Sequence, residues 1–173
     1  QGSGPLVELR RAAFDRFAAA GFPTQRDEDW KYTNLRRLES RSFAPAEITP
    51  VVADESDWIA GGGVRIVLVN GHAMPALSSA SPLPPGITVA PLGHWIANDP
   101  AAVASYIEQH APAQPSAFEH LGTAFLEDGV VIDIAADTVF DEPIYIVHQW
   151  AGTATAMSHP RVIVQVGRNS RCT

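Results

Sequence analysis

The sequence predicts an α+β protein, with a helical and mixed N-terminal part followed by a run of short β-strands. Two observations carry that expectation. Leu6, Leu9, Ala13 and Phe17 recur at helical spacing, and two later segments open with capping signals at Asp99-Pro100 and at Ser116 with Glu119. From Gly129 the texture changes to short segments dense in β-branched residues, punctuated by Gly, Asp, Asn and Pro. Strands so closely spaced fit a sandwich, a barrel or a parallel β-helix, and periodicity alone does not separate these. The chain therefore divides into a remnant over 1–4 (Gln1-Gly2-Ser3-Gly4 reads as a cloning scar), a mixed domain over 5–128 and a β domain over 129–173.

The elements follow in order. The first helix buries its Leu6/Leu9/Ala13/Phe17 face, widened by Phe14, and stops at Gly21 and Pro23. Thr24 followed by Asp27 resembles a capping box and predicts a second short helix, with acidic residues 27–29 at its positive end. Residues 39–63, with Pro45, Pro50 and three glycines at 61–63, read as loop and linker. Val64–Val69 reads as a strand closed by the turn dipeptide Asn70-Gly71. Ile87–Val89 reads as a shorter strand after a Pro-rich bend. Ala101–Gln109 and Phe118–Phe125 read as helices. Val130–Ile134, Thr138–Phe140, Ile144–Val147 and Arg161–Val166 read as strands. The chain stops at Arg171-Cys172-Thr173, inside what looks like another strand, which predicts a piece of a longer protein.

Composition excludes several classes. A formal charge of -7 on 173 residues leaves no Lys/Arg field for phosphates, so nucleic acid is not an expected partner. One cysteine, Cys172, rules out an internal disulfide and fits a reducing compartment, and a cytoplasmic location is expected. No apolar run approaches the roughly 18 residues of a membrane span, so no membrane partner is expected.

The catalytic search is negative. The six histidines form no pair at ligand spacing, although His120, His148 and His159 are conceivable metal ligands if the fold gathers them. His159-Pro160 marks the entry to a strand. His72, following a turn, is expected to face solvent. Ser78, Ser79 and Ser81 lack a nucleophile elbow, and the glycines at 61–63 lack a phosphate-binding context. Cys172 beside Arg171 is expected to be an ordinary strand residue rather than a reactive thiol. Trp30, Lys31 and Tyr32 admit two readings. They form a partner-docking surface, or Trp30 packs the second short helix on the first while Tyr32 caps the contact and Lys31 is solvated.

Gly21 to Leu35, with its G-F-P-T start and W-K-Y-T-N-L end, resembles the SufD-type iron–sulfur cluster assembly proteins. So do Val67-Leu68-Val69-Asn70-Gly71-His72 with the Leu83–Val89 bend, and Leu121-Gly122-Thr123-Ala124-Phe125 running through Asp128-Gly129-Val130 to Pro143-Ile144 and His159-Pro160-Arg161. Gly122 departs from the asparagine expected there. The resemblance implies an N-terminal helical/mixed domain leading into the first turns of a right-handed parallel β-helix. It also implies a non-catalytic scaffold subunit acting with SufB and the ATPase SufC. No catalytic, cofactor or metal residue falls within the chain on this reading. The iron–sulfur cluster is handled transiently by the full complex. An uncovered last strand is expected to make the chain self-associate. The rival is a cupin-like β-class metal enzyme or small-molecule binder, which ranks second because its paired-histidine motif is missing.

Overall fold

The computed structural model describes residues 3–48, 62–78, 83–152 and 155–173. In chain order they form α1 (Pro5–Ala20), a 3-10 turn (Glu28–Trp30), α2 (Arg36–Glu39), β1 (Ala44–Pro45), β2 (Val64–Val69) and β3 (His72–Ala73). There follow β4 (Ile87–Pro91), α3 (Leu92–Asn98), α4 (Pro100–Gln109), α5 (Ala117–Ala124), β5 (Gly129–Ile134), β6 (Ile144–Gln149), β7 (Ala156–Met157) and β8 (Arg161–Val166). The α+β expectation holds. Among the described residues the strands form three small sheets, ordered β1-β7, β3-β2-β6 and β4-β5-β8, and none closes into a barrel.

The chain gathers into two compact units that interleave in sequence, one of 1–45, 95–126 and 155–159, the other of 46–94, 127–154 and 160–173. A single division between 128 and 129 does not describe this arrangement. Strand pairing is the reason: β2 and β4, from before that point, pair with β6 and β5 from after it.

In the first unit α1 packs against α5 and α4. Leu6 and Ala13 of α1, Val103, Ala104 and Ile107 of α4, and Leu126 form its buried apolar set. The Arg10 guanidinium donates to the carbonyl of Leu126, just past the end of α5. A cation there complements the unsatisfied carbonyls of a helix C-terminus. The caps are as expected: the Asp99 carboxylate accepts from Ala102 N at 2.9 Å, and Ser116 and Glu119 make a complete capping box. The helix expected at Thr24–Asp27 is instead one 3-10 turn. Asp27 does accept from Thr24 N and Oγ1 at 2.6 and 3.1 Å, and these bonds, the backbone one first, hold its carboxyl below the ordinary range. Within residues 39–63, read as loop, Ala44 and Pro45 pair in parallel with Ala156 and Met157, while 49–61 lie outside the described residues.

The second unit carries the larger sheets. Asn70-Gly71 closes the two-residue hairpin between β2 and β3, with φ of 52° and 88° at the two turn residues. Both values suit the left-handed positions that Asn-Gly favours. Val67, Leu68 and Val69 are fully or almost fully buried, each contributing on the order of 1.5–3 kcal/mol by transfer from water. Val64, Ile66, Ile87, Val130, Ile132 and Ile134 form one cluster, with Phe140, Ile144, Ile146 and Cys172 packed against it. β5 and β8 run parallel, Val130 beside Val162, Ile132 beside Val164 and Ile134 beside Val166. Gly129 opens that pair at φ 149°, where an added Cβ would lie 2.0 Å from the Arg161 carbonyl oxygen. Only glycine fits there.

The strand expected over 138–140 reduces to one parallel bridge between Val139 and Arg171. Asp137, at φ 59°, breaks the extended run just before it.

Candidate functional site

The Gly21–Leu35 segment is held by its aromatics. Phe17 of α1 meets Phe22 edge-on at 5.1 Å, Phe22 lies 5.8 Å from Phe118 of α5, and Trp30 lies 5.0 Å from the same Phe118 at an interplanar angle of 32°. Trp30 is half-buried. Its ring partner is Phe118 of α5, which Phe22 links in turn to Phe17 of α1. Lys31 is solvated, 3.9 Å from the Glu28 carboxylate. Tyr32 does not cap the contact. It is 92% exposed, with the Lys31 ammonium 5.8 Å from its ring centroid. Backbone bonds from Trp30 N to Asp27 O and from Thr33 N to Trp30 O fix the turn between the two rings. The segment thus has an inward anchor and an outward ring beside a cation.

The residues of the other two motif stretches are occupied in holding backbone together. Asn70 is 3% exposed. Its side chain accepts from Ala151 N at 2.8 Å and donates to the carbonyls of Glu47 and Ala151, both at 3.0 Å. Asp128 accepts from Ala73 N at 2.9 Å and from Gly93 N at 2.6 Å, so one carboxylate joins the end of the hairpin to the first turn of α3. His72 is not solvent-facing as expected: its side chain is 17% exposed and its Nδ1 lies 3.9 Å from the same carboxylate. Sequence reasoning noticed the Asn70 turn and the Asp128-Gly129 pair but not these buried bonds. Ser78 is no nucleophile, because its hydroxyl accepts from Val67 N and donates to Met74 O.

The histidines do not assemble a metal centre: among the described residues no three His, Cys, Asp or Glu side chains are grouped to hold an ion. His110 stacks on Tyr106 at 4.1 Å, and His148 is an exposed residue of β6. His159 lies 5.8 Å from Phe125 with its Nε2 buried and unbonded among the described residues, and burial pushes its pKa below 6.5. Cys172 is half-buried against the apolar cluster of the second unit, as an ordinary packing residue. Among the described residues no helix is long and apolar enough to cross a membrane.

A feature not noticed in the sequence is an internal repeat. Thr138 N bonds to Ser170 Oγ and Asn169 Nδ2 donates to Asp137 Oδ1, each pair 32 residues apart. Gly129 beside Arg161 and Val139 beside Arg171 keep the same offset. The signal is legible once the spacing is known, since Val130-Val131-Ile132 answers Val162-Ile163-Val164 and Asp137-Thr138 answers Asn169-Ser170.

A family model described as the SufBD protein N-terminal region matches residues 1–47 and 63–146. The chain is also similar to the iron–sulfur cluster assembly SufBD family protein slr0076 of Synechocystis sp. (strain ATCC 27184 / PCC 6803 / Kazusa). Identity is 30% over 172 residues, covering 97% of this chain and 38% of that protein. The chain thus spans well under half the length of this curated relative.

Proposed function

The chain belongs to the SufBD family, and we propose on that footing that it is the N-terminal part of a SufD-like, non-catalytic scaffold subunit that serves iron–sulfur cluster assembly. The observation that carries this reading is the match of the family's N-terminal-region model to most of the chain. Its assignment to SufD rather than SufB rests on the Gly21–Leu35 segment, which resembles the SufD pattern. The intended partners are SufB and the ATPase SufC, in the cytoplasm, with the cluster as cargo of the whole assembly rather than a resident group of this region. The motif residues support a structural role, since Asn70, Asp128 and Gly129 hold backbone segments in place.

The second unit is read as the start of a parallel β-helix. Supporting this are the parallel pairs β2·β6 and β5·β8, and the 32-residue offset that recurs between the segments 129–139 and 161–171. Repeat architectures of this kind stack one coil on the next and bury a continuous core between them.

The test is co-expression of the parent reading frame with SufB and SufC. Co-purification with both is the expected result, and recovery without either partner overturns the scaffold assignment. Anaerobic reconstitution of the 173-residue chain provides a second arm. Iron counting is expected to find no stable cluster, because the region has one cysteine and thiolate ligation calls for several. One cluster per chain would reject the non-catalytic, cluster-free reading of this region.

A further inference from the structure

We draw no further inference here: the strongest candidate, the apolar Val162, Val164 and Val166 face on the open edge of β8, is an unpartnered strand face, and nothing in the structure shows which chain covers it.

Discussion

Replacing Asn70 tests whether the Asn-Gly turn is a buried clasp or merely a convenient hairpin. Asn70→Ala removes three side-chain hydrogen bonds, to Glu47 O, Ala151 O and Ala151 N. At a net value of about 1 kcal/mol per bond, the loss comes to roughly 3 kcal/mol. Alanine must also hold φ at 52°, a left-handed position that costs a residue bearing a Cβ about 1–2 kcal/mol. The expected total is about 4–5 kcal/mol. Asn70→Gly loses the same bonds but tolerates the backbone, so about 3 kcal/mol is expected for it. Asn70→Asp keeps an acceptor for Ala151 N but turns a carboxylate oxygen toward two carbonyls. Its destabilisation should exceed that of glycine at neutral pH and lessen as the carboxyl protonates. Urea denaturation followed by tryptophan fluorescence reads these differences as midpoint shifts at constant slope. Alanine and glycine variants both within about 0.5 kcal/mol of the parent would refute the clasp, since that is the range of a surface change. Equal costs for the two would refute the backbone part alone.

The remaining predictions address other parts of the molecule. Trp30→Ala should cost about 1–3 kcal/mol, less than the roughly 3–5 of a fully buried tryptophan, because the ring is half-buried on Phe118. Tyr32→Ala should leave the denaturation midpoint within about 0.5 kcal/mol, since the ring is 92% exposed; a larger shift in chemical denaturation would contradict that placement. Burial lowers the His159 pKa, so the unfolded chain takes up this proton first as pH falls. Its contribution to stability should be full above pH 6.5 and decline as pH drops toward the lowered folded value. Thermal melts from pH 5 to 8 should show that slope weakened in His159→Gln, and identical profiles would reject it. Val164 is 48% exposed on an edge strand, so light scattering of the chain should show mass rising with concentration and Val164→Lys should suppress the rise. A strict monomer at high concentration would remove the expectation of self-association.

Local signals were readable where the chain satisfies itself locally. Asp99 and Ser116 cap their own helices, and β2, β5 and β8 carry dense β-branched patterns. Helix α3 was missed because its first turn is held by a carboxylate from 35 residues away, Asp128 accepting from Gly93 N. No neighbouring residue advertises that cap. Strands β1 and β7 are two residues each and exist through their mutual pairing, which leaves no periodicity to read. The bond from Arg10 to the Leu126 carbonyl links residues 116 apart, and a charge pattern does not record that a helix end lies within reach of the guanidinium. In the candidate segment, the sequence marked the aromatics but not their directions. Trp30 ends a 3-10 turn and Tyr32 follows two residues later, where neither helical nor strand periodicity assigns an inward face.

The 32-residue offset also accounts for Cys172. At that spacing Cys172 answers Phe140, and both residues pack against the same apolar cluster. Cys172 behaves there as a compact hydrophobe, and its cationic neighbour Arg171 is engaged elsewhere, with Asp141. The same comparison shows the unequal burial of the two strands. Val130, Ile132 and Ile134 are almost completely covered, whereas Val162, Val164 and Val166, beside them in register, are 37%, 48% and 53% exposed. The two strands also differ in their place in the sheet: among the described residues β5 is paired on both sides, with β4 and β8, and β8 on one. Of the residues that carried the resemblance, Asn70, Asp128 and Gly129 fix backbone positions, whereas Tyr32 stands exposed.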